Sequence, residues 1–384
     1  MGSLARVPTV HLVAGTRPEA IKLAPLYSEL CELSFDVQFV ASGQHPTMVR
    51  DSLQAFGITP DLALEIDRGD GGLPTLTAAL ITGLSDLWAA KRPDLVVVQG
   101  DTTTALAGAL AAFWAKIPVA HLEAGLRSHD LHSPFPEEAN RKLIGQVADL
   151  HLAPTQRAKD NLISDGVPEA RIYVTGNTVV DAVIRIAADL PEASATTGPV
   201  VLLTMHRRES WGSPLDQVLK AVAQLLTEYP DLEVICPTHP NPSVRQQVHQ
   251  VLGGHDRVTL TEPLPYEALV GVMKAATVIL SDSGGIQEEA PTFGVPVLVA
   301  RTVTERIEAI EHGCAISVGT DTNTILSTAR KLLDSPDLRS SMASRGNPFG
   351  DGLAAFRSAK AIAQLFDARV ELPPEFSMNA QQVT

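Results

Sequence analysis

The residues able to do chemistry follow short apolar runs along the chain. They are Gly15-Thr16-Arg17-Pro18-Glu19, Gly43-Gln44-His45, Gly100-Asp101-Thr102, Glu123-Ala124-Gly125-Leu126-Arg127, His206-Arg207-Arg208-Glu209, His239-Pro240 and Ser281-Asp282-Ser283-Gly284-Gly285. Open α/β sheets bind ligands beyond the carboxyl ends of their strands. One polar strand end is ordinary turn chemistry, whereas so many in register imply a lined cleft.

Asp101, Glu123 and Glu137 are the acid/base candidates. Moving a carbon-bound proton from one face to the other needs a group on each face, and carboxylates sharing a site raise one another's proton affinity. The plainer alternative is helix capping, with Asp101 as an N-cap and Glu137-Glu138 after Pro136 complementing a dipole. Arg141, one turn past Glu137, is either a positioned partner or a surface ion pair. His206 can donate to a phosphate and stabilise a departing diphosphate, with Arg207 and Arg208 adding positive charge and His239 ending the next strand. Arg17 and Lys22 flank Pro18 and form a candidate phosphate clamp, although Lys22 also fits a solvated helix face. Ser283, Gly284 and Gly285 open a helix and read either as a diphosphate cradle or as a cap and tight turn. Glu288 and Glu289 complement that helix dipole or grip a ribose diol.

The elements that must position these groups alternate strand and helix. Strands are expected at residues 9–14, 37–41, 94–99, 119–122 and 150–153, with helices at 19–33, 73–90, 102–114 and 137–147. The rhythm restarts at 200–204, with strands at 233–236, 258–261, 277–281 and 295–299 and a helix at 286–293. The expected fold is α/β: two Rossmann-like, doubly wound domains with an interdomain cleft. The expected domains are 1–185 and 186–352, with a linker-like 191–199, a helix within 353–372 packing back on the first domain, and a frayed tail at 373–384.

The 384 residues include 45% hydrophobic and 19% charged, a globular composition able to fill two cores. A net charge of −14 argues against nucleic-acid binding, and no apolar run reaches the ~18 residues of a membrane span. Three isolated cysteines and no secretory leader suggest cytoplasm. The first strand lacks GxGxxG, and the chain lacks GxxxxGK[ST], GxSxG, HExxH and Cys/His metal spacing. The expected cofactor and metal are therefore none.

Taken together, the motifs resemble the non-hydrolysing UDP-N-acetylglucosamine 2-epimerases. The matching stretches are GTRPEAIKLAPL (15–26), SGQH (42–45), QGDTTT (99–104), HLEAGLRS (121–128), SPFPEEANRKL (133–143), GNTVVDA (176–182), HRRE (206–209), THPNP (238–242), SDSGGIQEEAPTFGVPVLV (281–299) and NPFGDG (347–352). They run in order over almost the whole chain. The resemblance implies a GT-B-like fold, a homodimer, and interconversion of UDP-GlcNAc and UDP-ManNAc by anti elimination of UDP through 2-acetamidoglucal and re-addition. It makes Asp101, Glu123 and Glu137 the acid/base groups, Arg141 their organiser and His206 the aid to the leaving diphosphate. It makes Arg17, Ser283, Gly284 and Glu289 UDP ligands and puts Lys22 near the reacting sugar.

Some residues depart from the family pattern. Ser210 replaces an Asn after HRRE, and Ile307 replaces the proline of a TERPE segment. Some bacterial members bind a second UDP-GlcNAc as activator through QHRQ-type and RQTL-like segments; here these read Gln44-His45-Pro46-Thr47 and Leu73-Pro74-Thr75-Leu76. Weak or absent activation is expected. The rivals are a hydrolysing 2-epimerase, a GT-B glycosyltransferase and a non-catalytic UDP-sugar sensor.

Overall fold

The computed structural model describes residues 6–66, 71–191, 198–207, 210–301 and 304–378. The chain divides into two compact units, Met1–Ala182 with Gly350–Thr384, and Val183–Phe349.

In the first unit, strands β1 (Thr9–Ala14), β2 (Asp36–Ala41), β3 (Leu62–Ala63), β4 (Leu95–Gln99), β5 (Val119–Leu122), β6 (Leu150–Ala153) and β7 (Ile172–Val174) form one sheet in the order β3-β2-β1-β4-β5-β6-β7. Every neighbouring pair is parallel. β4, LVVVQ, is buried along its length, as a strand covered by helices on both faces must be. The helix Thr103–Trp114 can lie close on it because its packed face is built from Ala and Gly. A Cβ on Gly108 would meet Val98 Cγ1 at 3.1 Å.

The second unit repeats the plan with β8 (Val200–Thr204), β9 (Glu233–Pro237), β10 (Val258–Thr261), β11 (Val278–Ser281), β12 (Val297–Val299) and β13 (Ala315–Ser317), ordered β10-β9-β8-β11-β12-β13 and also parallel. Its core is aliphatic, centred on Leu203, Val218, Leu219, Val222 and Leu226. Strand order reverses between β1 and β4 in one sheet and between β8 and β11 in the other. In open α/β sheets the place beyond the carboxyl ends of the strands at such a reversal is where ligands bind. Among the described residues no helix is long and apolar enough to cross a membrane.

Several expectations need correction. The units exchange at Ala182/Val183 and Phe349/Gly350, each three residues before the expected 185/186 and 352/353. The first exchange falls inside the continuous helix Thr178–Asp189, so no turn signal marks it. The expected helix 286–293 begins earlier, as Gly284–Glu289, and tightens to a 3-10 turn at Ala290–Phe293, where Pro291 can donate no backbone hydrogen bond. β3, β7 and β13 were not expected, being two or three residues long. Residues 192–197 of the linker-like stretch lie outside the described residues.

Nor does a frayed tail begin at Pro373. Phe376 N–H donates to Val174 O at 2.9 Å, and Glu375 Oε1 accepts Val174 N–H at 3.1 Å, so this segment runs along β7. The Tyr173 hydroxyl donates to the Pro373 carbonyl. Arg357, on the last helix (Ala354–Phe366), donates to Pro374 O at 2.9 Å and lies 5.8 Å from the buried Phe376 ring. Phe376→Ala is expected to destabilise the protein by about 3 kcal/mol through lost burial and a residual cavity. Urea unfolding followed by circular dichroism measures it.

Candidate active site

At the first reversal point, β1 is followed by Gly15, where a Cβ would fall 2.1 Å from Thr104 Oγ1 and 2.5 Å from Ser42 Oγ. Only glycine fits. Glu19, fully buried in the following helix Arg17–Glu32, accepts Gly15 N–H at 3.0 Å and the Thr102 hydroxyl at 2.6 Å. One carboxylate thus stitches the loop after β1 to the loop after β4. Burial raises its pKa to about 7.

Asp101 is not the cap of the next helix. Thr102 takes that role, accepting Ala105 N–H at 3.0 Å. This frees the Asp101 side chain to turn to Arg141, whose Nε donates at 2.8 Å, while Asn140 Nδ2 donates to the Asp101 carbonyl at 2.8 Å. Arg141 is buried and no surface pair, and its Nη1 donates to Glu138 Oε2 at 2.7 Å. Glu138, expected to complement a helix dipole, is fully buried and also accepts Ser128 and His129 N–H at 3.0 and 3.2 Å. It buttresses Arg141. Glu137 stands beside it, half-buried, as the first residue of the helix Glu137–Val147. Gly100 turns with φ 68°, and its carbonyl accepts from His121 Nε2 at 2.7 Å. Burial pushes the His121 imidazole down to about 4, so it is neutral and carries the proton on Nε2.

Glu123, one residue past β5, has φ 62°. A non-glycine residue held there stores backbone strain, a feature that concentrates at functional sites. Its carboxylate is buried among donors. Lys22 Nζ lies 2.5 Å and Asn177 Nδ2 3.1 Å from Oε1, and Gln99 Nε2 donates to Oε2. Lys22 is therefore not on a solvated face; it is buried and ion-paired with Glu123. Arg17 is half-buried at the start of its helix. Lys22, Asp101, Glu123 and Arg141 thus come together around the Gly100 corner.

The second unit builds its reversal point in a similar way. Asp282, fully buried after β11, accepts the N–H groups of His206 at 2.9 and 3.1 Å and of Arg207 at 2.9 Å. This holds the loop after β8 against the loop after β11. Ser281 Oγ bonds Thr204 Oγ1 at 2.6 Å and accepts Ser283 N–H at 2.9 Å. His206 and His239 face each other at 5.9 Å between ring centroids, with Trp211 5.3 Å from His239. The Arg306 guanidinium covers Gly284, where a Cβ would sit 2.9 Å from its Cζ, and its Nε donates to Glu288 Oε1 at 2.8 Å. Burial works to raise the neighbouring Glu305 carboxyl, yet Arg306 and Arg301 hold it at about 2. Ile307 begins the helix Ile307–His312 at a first-turn position that a proline would also suit. A Cβ on Gly285 would stand 3.3 Å from Glu289 Oε1, so Ser283, Gly284, Gly285 and Glu289 share one helix start. Arg208 and Glu209 lie outside the described residues.

Sequence reasoning gave no role to Glu19, Gln99, Asn177, Asp282 or Arg306. Asp282 and Gln99 sit inside quoted motifs at strand ends, and that position was the available signal. Glu19 and Asn177 act through contacts distant in sequence, which no spacing reveals.

Two parallel, doubly wound units, each presenting polar groups at its strand-order reversal, define a GT-B-like α/β protein. The family model described as UDP-N-acetylglucosamine 2-epimerase matches residues 29–363. The Yersinia pestis UDP-N-acetylglucosamine 2-epimerase is 43% identical over 92% of this chain and 98% of its own. The S. aureus MnaA protein solved with UDP is 40% identical, with a TM-score of 0.89 over 97% of this chain and 100% of that one. The Neisseria meningitidis UDP-GlcNAc 2-epimerase, solved with UDP-GlcNAc, is 39% identical, with a TM-score of 0.87 over 93% of this chain and 99% of that one. The chain belongs to the UDP-N-acetylglucosamine 2-epimerase family.

The Glu19 stitch has a pH signature. Its folded pKa, about 7, exceeds the ordinary 4.5, so the stability it contributes is complete below about pH 4.5 and is lost as pH rises through about 7. Glu19→Gln, which keeps an acceptor for Gly15 or Thr102, is expected to remove a pH-dependent loss on the order of 3 kcal/mol. Urea midpoints at pH 5 and pH 7.5 measure it. Asp181, which burial also lifts to about 7, adds a slope of the same sign, and His11, His121 and His151, which burial lowers to about 4, 4 and 3, add one of the opposite sign that the variant leaves unchanged.

Proposed function

We propose that the chain interconverts UDP-GlcNAc and UDP-ManNAc without hydrolysis. A carboxylate of the first unit takes the C2 proton while the C1–O bond breaks and UDP leaves with the electron pair, giving 2-acetamidoglucal. UDP oxygen then returns to C1 as a proton is delivered to the opposite face of C2. The observation that carries this reading is that Asp101 and Glu123, at the ends of adjacent strands, each have their own buried cation, Arg141 and Lys22. Two ionised carboxylates can coexist at close quarters only with such compensation. Glu137 is the further acid/base group of the set.

The second unit supplies the hold on UDP. His206, Arg207 and His239 neutralise charge growing on the diphosphate. The Ser283 hydroxyl and the backbone N–H groups of Gly284 and Gly285 donate to its oxygens, and Glu289 takes the ribose diol; Arg17 is a further phosphate ligand. No step of this scheme calls for a redox cofactor or a metal. Three free cysteines, two of them buried, suit a reducing compartment, and we place the protein in the cytoplasm. We also propose a homodimer, resting on Phe113 and Trp114, 52% and 61% exposed at the end of one helix. Trp114→Glu should shift the mass measured by light scattering from dimer to monomer.

Phosphorus NMR of UDP-GlcNAc incubated with the protein tests the chemistry. Conversion to UDP-ManNAc is expected; release of free UDP with N-acetylmannosamine would mean hydrolysis, and no reaction without an acceptor would favour a transferase or a sensor. Asp101→Asn and Glu123→Gln should each lower kcat by about 10²- to 10⁴-fold. Substrate activation is expected to be weak or absent. Gln44 Oε1 already accepts the Thr104 hydroxyl at 2.7 Å, and Pro46 occupies the first turn of its helix. Initial rates against UDP-ManNAc alone should be hyperbolic; a sigmoidal curve relieved by trace UDP-GlcNAc would contradict this.

A further inference from the structure

We infer that Gln99 and Asn177 are positioning residues for the reaction, holding Glu123 ionised and aimed so that it serves as the proton acceptor. This rests on the proposed reaction and goes further in giving Glu123 a protonation state and a direction.

The amides are oriented by their other contacts. Asn177 Oδ1 accepts Val179 N–H at 3.1 Å, which leaves Nδ2 to face Glu123 Oε1 at 3.1 Å. Gln99 must present its NH₂ to Oε2, because two acceptors cannot share that contact. The side chains arrive from separate elements: Gln99 ends β4, Asn177 precedes the helix Thr178–Asp189, and Lys22 lies on the helix Arg17–Glu32. The Thr178 hydroxyl donates to Lys22 O at 2.7 Å and ties two of these elements together. Hydrogen bonds donated to a carboxylate favour its charged form, and a buried cation adds to the effect. Other charged or titratable groups around it are Asp101 with its partner Arg141, following the Gly100 corner, and the neutral His121 behind that corner. A Cβ on Gly100 would stand 3.6 Å from Glu123 Oε2, so Asp101 is the negative group nearest in sequence to that edge, and Arg141 offsets it.

The test uses two variants and two readouts. Gln99→Met removes a donor at similar volume. Asn177→Asp keeps the acceptor for Val179 N–H and replaces the donor by a second carboxylate. Carbon NMR of protein labelled at glutamate carboxyls, with Glu123 identified by the signal missing from Glu123→Gln, follows its titration without reference to activity. Rates against pH follow its use in turnover. The inference predicts that the Glu123 midpoint rises by about one pH unit or more in each variant. The acidic limb of kcat against pH should move by the same amount, KM should change little, and Gln99→Met should recover most of the wild-type rate above the shifted limb. Unmoved Glu123 titrations would overturn the inference. So would a moved titration with an unmoved rate profile, or a uniform loss of rate at every pH. If the wild-type chain itself does not epimerise, the proposed reaction fails, and the titration alone still decides whether the amides hold Glu123 ionised.

Discussion

Removing a carboxylate and an ammonium from water costs several kcal/mol each, and only close pairing with further hydrogen bonds offsets it. The Lys22–Glu123 pair is such a case, with both side chains less than a tenth exposed and two amides donating to the same carboxylate. The constraint reaches through the first unit. The helix after β1 must deliver Lys22, β4 must end on Gln99, the turn after β7 must present Asn177, and the backbone after β5 must enter the left-handed region at Glu123. A shift of any one element would leave a buried charge without its partner. The parallel register of β1, β4 and β5 is thus tied to the electrostatics of one carboxylate.

The same device recurs with different residues. Glu19 joins the loops after β1 and β4, and Asp282 joins the loops after β8 and β11. In both units a fully buried carboxylate accepts backbone N–H groups at the place where strand order reverses. Loops that diverge from a sheet edge need such ties to keep their geometry, because the sheet's own hydrogen bonds end there. Chemistry is thereby placed on rigid strand ends and not on free loops, which suits a reaction whose acid/base groups must stay within hydrogen-bond reach.

Much of this was legible in the chain itself. Buried parallel strands such as DLVVVQ and VVLLT announce themselves as unbroken apolar runs, and the polar residues after them mark the site edge. Local spacing failed wherever a side chain had two uses. Asp101 reads as an N-cap until Arg141 is seen to hold it and Thr102 to cap in its place. Of Glu137 and Glu138, spacing cannot say which is the buttress, and the buried Glu138 proves to be. The sequence 373–376 looks like a polar, proline-rich end, yet the Phe376 backbone N–H and the Glu375 carboxylate bind the Val174 backbone of β7, contacts that no pattern encodes.

The central claim is that a proton leaves C2 to one group of the first unit and returns from another. Epimerisation of UDP-GlcNAc carrying deuterium at C2, run in ordinary water and read by proton NMR, tests it most directly. The account predicts UDP-ManNAc with hydrogen at C2 and the label lost to solvent. Deuterium retained at C2 of the product would contradict transfer between two separate groups.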